Sequence, residues 1–397
     1  MKYALIIPDG AADQPLDELD GRTPIEAART PNMDEIARNG RIGLVRTVPD
    51  GFESGSDVAI MSLLGYDPAT YHSGRAPLEA AARNIRLAPA DWVFRCNLVT
   101  VMDGVMKDHS AGGISDAEAT VLIRDLARAV QAPGFEFHTG VSYRNLMVCR
   151  GGDDFSMLKT VPPHEIPEQP IAPHMPSGAG SDILRSIMYQ SHRMFDVHEI
   201  NRARVAEGKR PATQVWIWGQ GCATRMPRFV EAFGIASGCM ITGVDLLRGL
   251  ARLMGWDVHE VPGMTSFHDT NYVGQGHDTA DMLDRHDIVV SHVESPDEAS
   301  HQADVKTKIA AIEAIDEHVV GPVLRKLRTF PDWRVLVLPD HPTLISTRRH
   351  DPGDVPFCIA GSNVNDRSGL DYGEANARRS GVRLERGHEL MSRFLHG

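Results

Sequence analysis

Short runs of apolar residues alternate with longer amphipathic stretches along most of the chain. The runs YALII from Tyr3, QVWIW around Val215, DIVVSHV around Val290 and RVLVLPD around Val335 are apolar at nearly every position. Strands that pack against helices on both faces have this composition. The pattern therefore predicts an α/β fold with a mostly parallel sheet flanked by helices.

The stretch 70–177 has a different pattern. It contains the strand-like segments WVFRCNLVTV and RNLMVCR, several turn signals, and a Pro-rich exit, VPPHEIPEQPIAPHMPSG. We predict a smaller α+β domain over 70–177, inserted into a domain that comprises 1–69 and 178–397. The Pro-rich exit is either a semi-rigid hinge or a surface loop.

The segment after Ser300 has the clearest helical period. Its apolar residues recur every three or four positions and form one stripe, which is typical of a helix that packs against the core. The stripe consists of Val305, Ile309, Ile312, Ile315, Val319, Val323 and Leu324. Lys306, Lys308, Glu313 and Glu317 fall outside it.

Composition narrows the class of protein. The 397 residues are 42% hydrophobic and 24% charged, as in water-soluble globular proteins, and a chain of this length favours two domains. No apolar run reaches the ~18 residues that a membrane span needs. The start, MKYALIIPDG, reads as a strand and turn rather than a signal peptide.

Charge and cysteine content exclude further classes. A net charge of −12 argues against a nucleic-acid or anionic-membrane surface, although a local cation cluster or metal pair still permits a phosphorylated substrate. Five scattered cysteines without a CxxC pair favour reduced thiols in a cytoplasmic protein and argue against a zinc ribbon. Eighteen histidines prompt a search for metal ligands.

Polar residues follow several of the predicted strands. Asp9 follows LIIP, Asp340 and His341 follow VLVLP, and Asp297 comes shortly after VVSHV, with His301 four residues later. Ligands collect at the carboxyl ends of strands in open α/β sheets, and i, i+4 spacing places Asp297 and His301 on one helix face, where they can bind one divalent ion. A turn, a helix cap or a surface Asp–His pair would explain each one alone.

Ser56 is a candidate nucleophile. It lies between Gly55 and the helical run VAIMSLLG, so the positive end of a helix dipole would favour an alkoxide or a phosphate ester there. Serine needs a base or a metal to become a good nucleophile. Taken alone, Ser-Asp before an apolar run is also an ordinary helix cap.

Candidate cations for substrate phosphate or carboxylate groups are Arg75, Arg144, His109 and Lys209, each of which alone reads equally well as a solvated charge. His350, in the loop STRRHDPGDVP, reads alone as a surface histidine. The chain has no GxxxxGK[ST] or GxGxxG motif, so a P-loop nucleotide site is not expected.

Taken together, these motifs resemble those of a known family. TPNMDEIARNG, GSDVAIMSLLGYDP, SGRAPLEAA, DTNY, DEASH, LPDH and a late histidine after STRR occur in the order found in archaeal-type cofactor-independent (2,3-bisphosphoglycerate-independent) phosphoglycerate mutases of the alkaline phosphatase superfamily. The resemblance runs from Asp9 to about Gly361.

The resemblance implies two divalent ions and no 2,3-bisphosphoglycerate. One ion would bind Asp9, Ser56, Asp340 and His341, and the other would bind Asp297, His301 and His350. The metal would typically be Mn²⁺, with Mg²⁺, Co²⁺ or Zn²⁺ as variants, and the mixed oxygen and imidazole set suits Mn²⁺ or Zn²⁺ better than Ca²⁺.

The implied reaction interconverts 3-phosphoglycerate and 2-phosphoglycerate in glycolysis. Ser56 takes the phosphoryl group, glycerate reorients, and its 2-hydroxyl takes the group back. The two ions would neutralise charge on the attacking and leaving oxygens. The inserted domain would hold the glycerate, and its closure would exclude water, which would otherwise hydrolyse phosphoserine.

One segment departs from the family pattern. Archaeal members have an Arg-Gly-Ala-Gly type turn after the central strand, whereas this chain has WIWGQG, with Trp218 and Gln220. The variant resembles a bacterial branch proposed to contain homoserine kinases. A homoserine kinase or a metal-dependent phosphatase is therefore the alternative, and a non-catalytic binding protein is a third hypothesis. Oligomeric state does not follow from the sequence.

Overall fold

The computed structural model describes residues 1–130, 132–151 and 154–397. The chain forms two compact units. The first unit comprises Met1–His72 and Met226–Gly397, and the second is the continuous segment Ser73–Arg225. Each unit has its own sheet.

The strands are numbered in chain order across both units. They are β1 Lys2–Pro8, β2 Arg41–Val45, β3 Trp92–Met102, β4 Val105–Asp108, β5 Phe135–Val141, β6 Arg144–Cys149, β7 Gln214–Cys222, β8 Gly238–Ile241, β9 Asp257–His259, β10 Ile288–Val293, β11 Trp333–Val337, β12 Thr343–Leu344, β13 Arg349–His350, β14 Val355–Gly361 and β15 Arg383–Leu384.

The α-helices are α1 Pro24–Ala27, α2 Pro31–Asn39, α3 Ser56–Leu63, α4 Pro68–Tyr71, α5 Arg75–Ala82, α6 Asp116–Ala129, α7 Ser181–Asp196, α8 Glu199–Ala206, α9 Phe229–Phe233, α10 Asp245–Met254, α11 Tyr272–Met282, α12 Ser295–His301, α13 Val305–Ile315, α14 Gly321–Leu327, α15 Glu374–Arg379 and α16 Glu389–His396. Single 3₁₀ turns cover Asp17–Leu19, Pro163–Glu165 and Ala172–His174, and a π-helical turn, Asp316–Val320, joins α13 to α14.

The first unit contains an eight-stranded sheet in the order β15-β2-β14-β11-β1-β10-β8-β9. All its strands run in one direction except β14, which is antiparallel to both β11 and β2. The central strands are buried along their length, as expected for a sheet covered on both faces. The predicted fold class, a mostly parallel sheet flanked by helices, is confirmed.

The second unit is built on an antiparallel sheet. The long strand β3 pairs with β6 and β4 on one side and with β7 on the other, and β5 pairs with β6. Helices α6 and α7 bury Leu122, Leu184 and Phe195 in one core with Phe94 and Trp216 of the sheet.

The second unit extends beyond the predicted inserted domain of 70–177. The QVWIW run, predicted to belong to the parallel sheet, forms β7 and pairs antiparallel with β3. The run WIWGQG is strand rather than turn, since β7 continues to Cys222. The predicted return to the first domain at 178 is therefore wrong, because α7 and β7 complete the core of the second unit and the boundary falls after Arg225.

The amphipathic segment after Ser300 forms α13, the π-helical turn and α14. Its predicted stripe is buried at Val305, Ile312, Ile315 and Val319. The side chain of Lys308, which falls outside the stripe, is nevertheless completely buried. Among the described residues, no helix combines the length and apolar character that crossing a bilayer requires.

Candidate active site

The predicted acidic and histidine residues meet at one edge of the first unit's sheet. Asp9 directly follows β1, and Asp340 follows β11 by three residues. Asp297 lies on α12, directly after β10. Because β11, β1 and β10 are adjacent and parallel, their carboxyl ends lie side by side. The sheet topology therefore brings together residues that are far apart in the sequence.

The first cluster contains Asp9, Asp340 and His341. One ligand atom of each lies within 4.8 Å of the others, and all three residues are buried. The hydroxyl of Ser56, the first residue of α3, lies 3.3 Å from Asp9 Oδ2 and 3.2 Å from His341 Nε2. The predicted nucleophile is thus adjacent to its predicted partners and at a helix amino terminus.

The second cluster contains Asp297, His301 and His350. Asp297 Oδ2 lies 3.1 Å from His301 Nε2, Asp297 Oδ1 lies 3.4 Å from His350 Nε2, and the two Nε2 atoms are 3.1 Å apart. Each Nδ1 faces a backbone carbonyl, that of Arg348 at 3.0 Å and that of Ser54 at 3.1 Å.

These carbonyls fix the proton positions in the second cluster. A carbonyl oxygen only accepts hydrogen bonds, so both Nδ1 atoms carry a hydrogen, and in the neutral form of each ring the Nε2 lone pair is directed towards Asp297. Two lone pairs and a carboxylate that converge in this way are the usual ligand arrangement of a metal-binding histidine pair. Without a cation, the hydrogen bond with Asp297 raises the pKa of His301 to about 9.

His341 has the same orientation in the first cluster. The Thr343 hydroxyl donates to Asp297 Oδ1 at 2.5 Å, so its oxygen is free to accept from His341 Nδ1 at 3.2 Å. The Nε2 lone pair then points towards Asp9, Asp340 and Ser56. Thr343 therefore links the two clusters.

Electrostatics and unmet hydrogen-bonding capacity indicate that cations fit this site. Burial raises the pKa of Asp9 well above its usual range, and the nearby carboxylates of Asp340, Glu294 and Asp297 raise it further. Asp9 Oδ1, Asp340 Oδ2 and Glu294 Oε2 are buried, and none accepts a hydrogen bond from the described residues. Buried carboxylate oxygens without donors are costly unless a cation neutralises them.

Gly10 allows the two clusters to approach each other. Its φ of +60° is in the left-handed region, and a Cβ at this position would lie 2.5 Å from Asp297 Oδ1. Its N–H donates to Asp340 Oδ1 at 3.1 Å. A side chain at residue 10 would therefore displace Asp297 of the second cluster and the Thr343 hydroxyl, which links the two clusters.

His292 and Glu294 also belong to the site, although the sequence analysis did not identify them. With Asp9 they form a third group of potential ligand atoms within 4.8 Å of one another. Burial lowers the pKa of His292 to about 4, so the ring is neutral at physiological pH. A polar residue near the end of an otherwise apolar strand, as in VVSHV, is the signal that would have identified His292.

The second unit contains a cavity of about 350 Å³ with several cationic groups. The predicted residues Arg75, Arg144 and His109 line it. Lys209 does not line this cavity; its ammonium group lies 2.7 Å from Glu207 Oε2, and its side chain is more than half exposed. The other lining residues are Glu79, Arg95, Asn97, Tyr143, Asn145, His164 and Trp218.

Charge and stacking organise this cavity. Arg95 pairs with Glu79, and its guanidinium group lies 4.6 Å from the centre of the Trp218 ring. Burial lowers the pKa of His164, and electrostatic interactions with His109, Arg95 and other arginines lower it further. Gln220 has a structural role. Its side-chain oxygen accepts a hydrogen bond from the Thr160 hydroxyl, and its side-chain nitrogen donates one to the Leu158 carbonyl. The cavity is therefore suited to an anionic ligand.

Comparison with known proteins identifies the family. A family model described as 2,3-bisphosphoglycerate-independent phosphoglycerate mutase matches residues 37–201. The chain is 47% identical to the mutase of that name from Methanothrix thermoacetophila over the full length of both proteins. It is 44% identical to a probable mutase of the same name from Geobacter sulfurreducens, again over the full length of both.

Solved structures agree with this result. The fold matches that of a Pyrococcus horikoshii protein with a TM-score of 0.83 and 27% identity, covering 99% of this chain and 96% of the other. It matches the cofactor-independent phosphoglycerate mutase of Thermoplasma acidophilum with a TM-score of 0.70 and 27% identity, covering 100% and 99%. The chain belongs to the 2,3-bisphosphoglycerate-independent phosphoglycerate mutase family, and the predicted family is confirmed.

Proposed function

We propose that this protein interconverts 3-phosphoglycerate and 2-phosphoglycerate through a phosphoserine intermediate on Ser56. The observation that carries the proposal is the position of the Ser56 hydroxyl, between Asp9 Oδ2 and His341 Nε2 at the amino end of α3. The relatives that align over the full chain are named phosphoglycerate mutases, and this supports the substrate pair.

Two divalent ions complete the proposed site. Asp9, Ser56, Asp340 and His341 would hold one ion, and Asp297, His301 and His350 the other. When bound, the ions would favour ionisation of the serine hydroxyl and offset charge on the transferring phosphoryl group. Oxygen and imidazole ligands together suit Mn²⁺, our first choice, with Zn²⁺, Mg²⁺ and Co²⁺ as the other candidates.

The chain's own residues carry out two in-line displacements. Ser56 Oγ attacks phosphorus, the bond from phosphorus to the 3-oxygen of the substrate breaks, and the serine proton moves to Asp9 Oδ2, to which the hydroxyl donates. The leaving oxygen then takes up that proton. In the second displacement the 2-hydroxyl of glycerate attacks phosphoserine and gives up its proton, the bond from phosphorus to Ser56 Oγ breaks, and Ser56 Oγ takes up that proton.

The cationic cavity of the second unit is the proposed recognition element. Arg75 and Arg144 can each offer two parallel N–H donors to a carboxylate or phosphate, which suits glycerate and its phosphate esters. Retention of glycerate between the two displacements is essential, because water in its place would turn the enzyme into a phosphatase. A cytoplasmic location stays a prediction.

A paired assay tests this function. The protein is freed of metal, loaded with Mn²⁺ and incubated with 3-phosphoglycerate alone, and in parallel with ATP and homoserine. We expect 2-phosphoglycerate without nucleotide, little inorganic phosphate, and no ADP. Ser56→Ala should lower the mutase rate by more than about 10⁴-fold. ADP formed from ATP and homoserine, with no turnover of phosphoglycerate, would contradict the assignment in favour of a kinase.

A further inference from the structure

His292 connects Asp9 to the interior of the first unit. It is the penultimate residue of β10 and is only 1% exposed. Its Nε2 lies 2.7 Å from Asp9 Oδ2, and its Nδ1 lies 3.1 Å from Oγ1 of Thr242, the residue that follows β8. Because β1, β10 and β8 are neighbours, three adjacent strands each contribute one member of this chain of contacts.

The donors and acceptors determine the direction of these hydrogen bonds. The Val244 N–H donates to Thr242 Oγ1 at 3.1 Å, and the Asp9 carboxylate, in the ionised form that binds a metal ion, can only accept. The Thr242 hydroxyl therefore donates to His292 Nδ1, and His292 Nε2–H donates to Asp9 Oδ2. The opposite tautomer would place a nitrogen lone pair 2.7 Å from a carboxylate oxygen, which is repulsive.

The two oxygens of Asp9 therefore differ in their hydrogen bonds. Oδ2 accepts from His292 and Ser56, whereas Oδ1 accepts no hydrogen bond from the described residues. Oδ1 lies 3.8 Å from His341 Nε2, across the first cluster. The carboxylate is thus held in the rotamer that presents its unbonded oxygen to the other ligand atoms.

We propose that His292 is a positioning residue that orients Asp9 to bind the first metal ion. It does so through its Nε2–H, which is kept on that nitrogen because the Thr242 hydroxyl donates to Nδ1. The proposal rests on the metal site of the proposed function. An alternative is that His292, Asp9 and Glu294 bind a third ion, since Glu294 Oε2 is 3.9 Å from His292 Nε2. The observed bond favours the first role, because a ligating Nε2 would leave the Thr242 hydroxyl with no acceptor among the described residues.

Three substitutions separate these roles. His292→Leu removes the donor at similar volume, and His292→Gln can place an amide N–H near the position of Nε2. Thr242→Val removes the hydroxyl that fixes the tautomer. His286→Leu is the matched control, since His286 is a buried histidine two residues before β10, at the opposite end of that strand.

The measurement is Mn²⁺ binding to the metal-free full-length protein, with affinity and stoichiometry from calorimetric titration. We expect two ions in the wild type. In His292→Leu one of the two ions should bind about 10–100-fold more weakly, and Thr242→Val should shift the affinity in the same direction. His292→Gln should recover most of the affinity, and His286→Leu should bind as the wild type does.

Two results would overturn the proposal. One is wild-type affinity and stoichiometry in both His292→Leu and Thr242→Val. The other is three ions in the wild type and two in His292→Leu, which would make His292 a ligand. If His292→Leu fails to fold, Thr242→Val and His292→Gln still decide the question. A wild type that binds two ions without converting phosphoglycerate would contradict the proposed function and leave this inference intact.

Discussion

At the residue scale, the buried carboxylates differ in which of their oxygens receive hydrogen bonds. Asp340 Oδ1 accepts the N–H of Gly10, whereas its Oδ2 accepts no hydrogen bond from the described chain. Asp9 shows the same difference, since its Oδ2 accepts hydrogen bonds and its Oδ1 accepts none from the described chain. His301, His341 and His350 each use Nδ1 for a second partner and direct Nε2 inward. The remaining lone pairs of these carboxylate oxygens and Nε2 atoms converge, so a cation would provide the interaction that no protein donor provides.

Glu374, outside both clusters, shows what happens to a buried carboxyl group that is not a proposed ligand. Burial raises its pKa to about 7, although it accepts hydrogen bonds from Thr23 Oγ1 at 2.6 Å and from the Asp13 N–H at 3.3 Å. The folded state therefore holds a proton that the unfolded chain releases at a lower pH.

This shift predicts a pH dependence of stability. Because the folded pKa is the higher one, the contribution of Glu374 is fully present below the unfolded pKa of 4.5 and is lost as pH rises through 7. The loss is up to about 3 kcal/mol. In urea unfolding of the metal-free protein at pH 5 and pH 8, Glu374→Gln should reduce the difference between the two free energies of unfolding. An unchanged difference would contradict the assignment.

At the element scale, α13 holds together the loops that carry the proposed metal ligands. The ammonium group of Lys308 donates to Asp13 Oδ2 at 2.8 Å, to the Thr343 carbonyl at 2.9 Å and to the Ala12 carbonyl at 3.3 Å. Residues 12 and 13 follow Asp9, and Thr343 follows His341, so the buried ammonium group of Lys308 joins the loop after β1 to the loop after β11.

Removal of this ion pair should destabilise the protein. Lys308→Met leaves Asp13 buried without its cation and should lower the free energy of unfolding by about 3–5 kcal/mol. Lys306→Met changes an exposed lysine on the same helix and should stay within about 0.5 kcal/mol of the wild type. Urea unfolding measures both. Equal effects of the two substitutions would show that the buried pair contributes no special stability.

At the scale of the whole molecule, the second unit is one continuous segment with its own sheet and core. We therefore expect a fragment spanning 73–225 to unfold cooperatively in urea, monitored by circular dichroism. A fragment spanning 70–177 lacks α7 and β7, which would expose Phe94 and one edge of β3. It should show no cooperative transition, and a cooperative transition in that shorter fragment would contradict the boundary after Arg225.

The features that could be predicted from the sequence are those that a short local motif determines. Asp9, Asp297 and Asp340 could be identified because parallel strands end at one edge of a sheet, so a short motif fixes their position. The apolar run that became β7 gave no information on its strand partner, because burial alone does not distinguish parallel from antiparallel pairing.

The features that could not be predicted are those that depend on contacts between segments far apart in the sequence. Lys308 is buried because of Asp13, which is 295 positions away in the sequence. His350 joins Asp297 and His301 through the short β12–β13 hairpin. In the sequence, i, i+4 spacing connected Asp297 with His301, whereas only the family resemblance connected His350 with that pair. The role of His292 follows from the hydrogen bonds of Thr242 and Asp9, which a linear pattern does not record.

The most direct test of the central claim is to identify the residue that carries the phosphoryl group. Mn²⁺-loaded wild type and Ser56→Ala are mixed with 3-phosphoglycerate, quenched in acid during turnover, digested and analysed by mass spectrometry. We predict phosphate on Ser56 of the wild type, with 2-phosphoglycerate formed in the same sample, and neither product with Ser56→Ala. Phosphate on another residue, or turnover by Ser56→Ala at the wild-type rate, would contradict the account.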